Sequence, residues 1–211
     1  KFAEMQSFSN VLQVTFSQLE QYDHPMKGNW NRDFFHNQKP IVLELGCGKG
    51  EYTTGLAEAN PENNYIGIDI KGARMWKGAK YATDNQLFNV GFLRTHIEMV
   101  DRFFALGEVS EIWLTFPDPQ MKKVRKRLTS TRFIELYRKF LKPGGIVHLK
   151  TDSRFQFLYT REMVLANGFH VVEELDDVYG NGSTDSILSI KTFYEKQWLA
   201  RGITIKYISF I

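Results

Sequence analysis

Ile41-Val42-Leu43-Glu44-Leu45-Gly46-Cys47-Gly48-Lys49-Gly50 is an apolar run that stops at three alternating glycines, and a helical pattern follows it. The run reads as a buried strand delivering a ligand loop. Glycine turns the backbone sharply at positive φ and lets a ligand approach without a Cβ in the way. The spacing is G-x-G-x-G. Glu51 stands where a dinucleotide fingerprint has its third glycine, and no Lys-Ser/Thr pair completes a phosphate loop. Phosphate is therefore not the expected ligand. Tyr65-Ile66-Gly67-Ile68-Asp69 reads as a second buried strand ending in a carboxylate, roughly 20 residues on, the usual distance for a ribose-hydroxyl acceptor. Glu44 and Asp69 together repel a pyrophosphate and suit a nucleoside with a cationic end.

The chain has 211 residues, 43% hydrophobic and 24% charged. That is enough for one good core and too little for two large ones. One domain over residues 1–211 is expected, with 1–40 as an N-terminal cover and 41–211 as an α/β core. The single cysteine, Cys47, excludes an internal disulfide framework and fits a reducing compartment. No signal peptide or apolar run of about 18 residues stands out, so a cytoplasmic protein with no membrane segment is expected. The chain opens on Lys1 rather than Met, which leaves room for preceding residues. A net charge of +3 is too mild by itself to argue for nucleic acid. Its distribution matters more, because five of the six residues from Lys122 to Arg127 are Lys or Arg.

Residues 1–40 mix Phe2, Phe8, Val11, Leu12 and Phe16 with polar residues and read as a loosely organised cover with a short helix. Beyond the glycine loop the pattern predicts helices over 51–59, 71–85, 98–106, 129–141, 153–167 and 192–201. Strands are predicted over 65–69, 89–94, 111–116, 146–150, 169–175 and 203–211. Lys142-Pro143-Gly144-Gly145 is expected to end the fourth of those helices. Strands alternating with helices imply a seven-stranded, mostly parallel sheet covered on both faces. Ligands then belong at the carboxyl ends of the strands, where Glu44, His96 and three aspartates, Asp69, Asp118 and Asp152, fall. A long connection over 176–186, rich in Gly, Asn, Ser and Asp, reads as a lid or binding loop.

Phe116-Pro117-Asp118-Pro119 follows the fourth strand, where a substrate meets a cofactor. Two prolines hold the aspartate in an extended, rigid turn. Such a segment also reads as a structural turn with a solvated Asp. The adjacent basic run favours function, since a nucleic-acid backbone bound there brings a base to Asp118.

Over nearly its whole length the chain resembles the bacterial tRNA (guanine-N7)-methyltransferases, a family that uses S-adenosylmethionine on a guanine in the tRNA variable loop. The resemblance rests on Trp30-Asn31, PIVLELGCGKG at 40–50, YIGID at 65–69, FPDPQMKK at 116–123, Pro143-Gly144-Gly145, KTD at 150–152 and TFYE at 192–195. It implies a Rossmann-like class I methyltransferase fold. It implies that Glu44, Gly46, Gly48, Asp69, His96 and Asp118 hold the cofactor, with Asp118 also the catalytic acid. Lys122, Asp152, Thr192, Tyr194 and Glu195 are implied to contact the RNA. The partner is then tRNA, and a monomer or a homodimer is equally compatible. Three departures stand out. Gln120 replaces a Trp, the basic segment is about two residues shorter than usual and lacks an Arg-His pair, and His96 stands where many members carry an Asp. An imidazole still donates or accepts one hydrogen bond to an adenine ring.

The chemistry fits these residues. Guanine N7 carries a lone pair and no proton, so attack on a sulfonium methyl needs no general base. Positioning and electrostatics must do the work. No metal is required, and His24, His36, His96, His148 and His170 lack ligand spacing. Three rival readings are weaker. An adenine amino-methyltransferase carries Asn/Asp-Pro-Pro-aromatic, which Pro117-Asp118-Pro119-Gln120 does not match. A non-catalytic RNA-binding protein has no need of intact glycines and acids, and Glu51 disfavours a nicotinamide enzyme.

Overall fold

The computed structural model describes residues 2–14, 22–180 and 185–211. Phe16 and residues 181–184 of the late loop lie outside the described residues.

Eight strands form one sheet in the order β1-β4-β3-β2-β5-β6-β8-β7. They are β1 Val11–Gln13, β2 Ile41–Leu45, β3 Asn64–Asp69, β4 Val90–Arg94, β5 Val109–Thr115, β6 Leu141–Thr151, β7 Val171–Leu175 and β8 Lys206–Phe210. The first six pair in parallel, and β8 inserts antiparallel between β6 and β7. The helices are α1 Phe2–Met5, α2 Glu51–Ala59, α3 Gly72–Asp84, α4 Thr131–Tyr137, α5 Arg154–Ala166 and α6 Phe193–Ala200. All seven expected strands form, with shifted ends.

The eighth strand, β1, corrects the reading of the N-terminal segment as a loose cover. Three residues are too short to show an alternation, yet Val11–Gln13 pairs with Phe92, Leu93 and Arg94. Trp30 is fully buried, donates from Nε1 to the Phe103 carbonyl at 2.8 Å and stacks on Phe104. The segment is therefore part of the core. Two helices are shorter than expected. Residues 97–102 form a 3-10 turn, and α4 stops at Tyr137. Lys142–Gly145 does not simply end a helix, because Leu141 already pairs with Val109 before the register jumps to Glu111 opposite Ile146. The four intervening residues bulge out of the ladder.

Alternation divides the core. Leu43, Leu45, Ile66, Ile68, Ile112 and Leu114 face one layer with Trp30, Phe104, Phe133 and Phe157. Val42, Tyr65 and Trp113 face the other, with Tyr52 and Leu56 of α2 and Met75 and Ala79 of α3. Burial on both faces explains why the central strands read as continuous apolar runs. Strand order reverses between β2 and β5, so the loops after these two strands open a crevice at the carboxyl edge.

Candidate functional site

The glycine loop leaves β2 with Gly46, Gly48 and Gly50 at φ of +82°, +54° and +72°. A Cβ on Gly46 or Gly48 would point into open space, so these positions combine left-handed backbone with a clear approach for a ligand. Gly50 answers a different need. A Cβ there would lie 2.6 Å from the Phe92 ring and 3.1 Å from Gly78 Cα, so paired glycines let α2 and α3 cross closely.

Asp69, at the end of β3, holds this loop. Its Oδ2 accepts from the Gly48 amide at 3.0 Å and its Oδ1 from the Lys71 amide at 2.8 Å. Carboxylate oxygens have spare lone pairs, so ribose hydroxyls can still bind. Asp69 and Gly46 line a cavity of about 310 Å³ together with Ile70, His96 and Gln120. His96 ends the β4 connection and opens the 3-10 turn, where its carbonyl accepts from the Met99 amide.

Glu44 sits beneath the loop rather than in it. It is 2% exposed. Oε2 accepts from the Thr53 amide at 2.9 Å and from the Thr53 hydroxyl, and Oε1 accepts from the Thr115 hydroxyl. The carboxyl thus ties β2 to α2 and to β5. Burial pushes its pKa up to about 7, against the pull of those hydrogen bonds. Thr53 and Thr115 carry no sequence signal of this role.

Across the crevice, Phe116 takes φ +49° and donates its amide to the Lys150 carbonyl at 2.8 Å. Asp118 is exposed, and its Oδ1 accepts from the Gln120 amide at 2.9 Å, with Gln120 itself at φ +48°. One carboxylate oxygen therefore shapes the turn while the other remains available. Lys122 is exposed in the same loop, and Asp152 is half-buried just after β6.

Arg127 stands apart from the rest of the basic run, which sequence alone reads as one cationic segment. It is 4% exposed. Its Nε donates to the Pro119 carbonyl at 3.2 Å and its second terminal nitrogen to the Met121 carbonyl at 3.1 Å. Its guanidinium lies 4.7 and 4.3 Å from the Phe155 and Tyr159 ring centroids. The exposed cations of the run are Lys122, Lys123, Arg125 and Lys126. Among the described residues no cluster of three or more His, Cys, Asp or Glu could hold a metal, and no helix is long and apolar enough to cross a membrane.

The family model Methyltransf_4, described as "Putative methyltransferase", matches residues 38–208. The tRNA (guanine-N(7)-)-methyltransferase of Porphyromonas gingivalis (strain ATCC BAA-308 / W83) is 60% identical over 209 residues, 98% of this chain and 86% of that protein. Its counterpart of the same name in Bacteroides thetaiotaomicron is 58% identical over 210 residues, 100% of this chain and 83% of that protein. This chain belongs to the tRNA (guanine-N7)-methyltransferase family. Among solved structures it is similar to the 16S rRNA methyltransferase KamB, with a TM-score of 0.64 and 15% identity over 90% of this chain and 94% of that one. At that identity the likeness is one of fold, the class I methyltransferase α/β architecture.

Within this methyltransferase the late segment comes back to the glycine loop. Glu51 Oε2 accepts from the Phe193 amide at 2.7 Å, and Lys49 Nζ lies 3.5 Å from the Phe193 ring centroid and 5.4 Å from that of Tyr194. Tyr194 is exposed beside it. Glu195 is not. Its backbone amide donates to Thr192 Oγ1 while its Oε2 accepts from the Thr192 amide, a capping box that starts α6. Its Oε1 lies 2.7 Å from Lys150 Nζ and accepts from the Tyr179 hydroxyl at 2.6 Å. With no exposed surface, Glu195 holds the late segment in place instead of facing RNA, and Thr192 caps a helix. Lys150 is the functional partner that the motif reading leaves without a role. A lysine at the end of the apolar run of β6 signals a buried partner, since an unpaired ammonium there is costly.

Proposed function

We propose that this enzyme transfers a methyl group from S-adenosylmethionine to N7 of a guanine in the variable loop of tRNA. The observation that carries this reading is the pairing, at the β2/β5 reversal, of an Asp69-braced glycine loop with the Asp118 turn and its exposed cations. The residues fit the cofactor: Gly46 and Gly48 leave room that a Cβ would fill, and Asp69 offers carboxylate lone pairs for a ribose. Gly46, Gly48, Asp69 and His96 would hold it, with Glu44 supporting the loop from below.

When bound, S-adenosylmethionine supplies an electrophilic methyl on a sulfonium. Guanine N7 attacks with its own lone pair, so no side chain has to remove a proton. The purine becomes cationic as the N–C bond forms and the C–S bond breaks. The Asp118 carboxylate stabilises that charge and accepts from the guanine N–H groups. Lys122 and its exposed neighbours neutralise backbone phosphates, while Asp152, just after β6, and Tyr194, beside Lys49 of the glycine loop, would position the nucleotide. The reading assigns the protein to the cytoplasm, beside its tRNA substrates.

The test is to incubate the protein with unmodified tRNA and methyl-labelled cofactor, digest the RNA and identify the labelled nucleoside. 7-Methylguanosine from the variable loop is expected. A methylated adenosine, or no label, contradicts the reading.

A further inference from the structure

A groove of about 750 Å³ runs between α2, α3 and the start of α6, and Lys49, Lys77, Lys191 and Lys196 line it. Lys49 belongs to the glycine loop, so the groove begins at the mouth of the site. Its floor is closed by Ile190, packed so near Gly55 that a Cβ there would come within 2.6 Å.

The two carboxylates of the groove are engaged with the protein. Glu51 accepts from the Phe193 amide, and Glu58 Oε1 accepts from the Tyr81 hydroxyl at 2.7 Å. The lysines are not neutralised. Lys27, Lys39, Lys80, Lys139 and Lys150 each pair with a carboxylate, whereas among the described residues none of the four groove lysines does. Four ammonium groups in one concavity repel each other and focus a positive potential that a polyanion relieves. Beside Lys49, where its Nζ lies 3.5 and 5.4 Å from their ring centroids, stand Phe193 and Tyr194, 45% and 42% exposed. Cations beside exposed rings are the elements that bind single-stranded nucleic acid.

The position is distinct from the Lys122–Lys126 loop. That loop leads into Leu128 and Phe133, which pack on the Trp30 face of the sheet, while the groove lies over Tyr52, Leu56 and Met75 on the opposite face. We propose that the groove carries the sugar-phosphate backbone of the RNA on one side of the reacting guanosine, so that the substrate crosses the carboxyl edge between two basic surfaces. This rests on the RNA-methylating function proposed above.

The test is tRNA affinity, measured by equilibrium titration across a range of salt, for the parent and for Lys77→Ala/Lys196→Ala, two exposed sites outside the cofactor loop. The double variant should bind tRNA about tenfold more weakly, with a log–log salt slope shallower by about two. S-Adenosylmethionine affinity should be unchanged, and Lys77→Arg/Lys196→Arg should restore binding. Lys39→Ala/Lys142→Ala removes the same charge at the opposite edge and should have little effect. Parental affinity and slope in Lys77→Ala/Lys196→Ala overturn the proposal, as does an equal loss in Lys39→Ala/Lys142→Ala. Nucleoside analysis of the parent judges the proposed reaction separately, since binding is read without turnover.

Discussion

Lys150 Nζ lies 2.7 Å from Glu195 Oε1, and neither side chain has any exposed surface. The remaining ammonium protons are directed to the Leu188 and Ile190 carbonyls at 2.7 and 3.0 Å. One lysine at the end of β6 therefore organises the segment from Leu188 to Glu195, which delivers Phe193 and Tyr194 to the glycine loop. Burial pulls the Lys150 pKa down from the usual lysine range, and Glu195 opposes that shift.

Truncating Glu195 should accordingly be a stability defect. Glu195→Ala leaves a buried ammonium without its counter-ion, and about 3–5 kcal/mol of unfolding free energy should be lost. Urea denaturation measures this directly. A residue serving only as an RNA contact would change stability by about 0.5 kcal/mol or less, and that outcome would return Glu195 to the substrate surface.

Glu44 makes stability depend on pH in the direction opposite to most carboxylates. Its folded pKa, about 7, is above the ordinary value of 4.5, so the folded state holds a proton that the unfolded chain releases between those values. The resulting stability is fully present below about pH 4.5 and is lost as pH rises through 7, by at most about 3 kcal/mol. Glu44→Gln has nothing to titrate. The stability difference between parent and variant should therefore drift in favour of the variant from pH 5 to pH 8, and a pH-independent difference would mean that Glu44 is ionised throughout.

Arg127 should be irreplaceable by lysine. Lys keeps the charge but cannot form the fork to the Pro119 and Met121 carbonyls or the planar stack on Phe155 and Tyr159. Limited trypsin digestion of Arg127→Lys should cut the 122–126 loop several-fold faster than in the parent. Unchanged cleavage would show that the loop holds its shape without the guanidinium.

Asp69→Ala should weaken S-adenosylmethionine binding roughly 10- to 100-fold, the value of a lost hydrogen bond to a charged acceptor, about 1.5–3 kcal/mol. Calorimetric titration checks it. Parental affinity in a folded variant would move the ribose contact to another residue.

Much of this was legible in the sequence because its physical causes are local. A strand buried on both faces is mostly apolar, and a loop at positive φ favours glycine, so the apolar runs of β2 to β5, the 146–150 part of β6 and the Gly46–Gly50 turn announce themselves. The Thr192-x-x-Glu195 spacing is itself a helix-start pattern. What it does not disclose is that the Glu195 carboxylate turns inward to Lys150, a partner 45 positions earlier brought close only by the fold. Arg127 is hidden for a similar reason. In a run of cations nothing local separates the one that stacks under the loop from those that face solvent. β1 has three residues and exists only because Phe92–Arg94 offers it an edge.

At the centre of the proposed mechanism is a carboxylate that stabilises positive charge on a nucleophile needing no deprotonation. Asp118→Asn tests it, since Asn keeps an acceptor for the Gln120 amide and removes the charge. Single-turnover methyl transfer with saturating tRNA and cofactor should slow by about 10²- to 10³-fold, by analogy with losing one preorganised transition-state partner, while cofactor affinity changes little. A near-parental single-turnover rate for Asp118→Asn would contradict charge stabilisation and leave Asp118 as the shaper of its own turn.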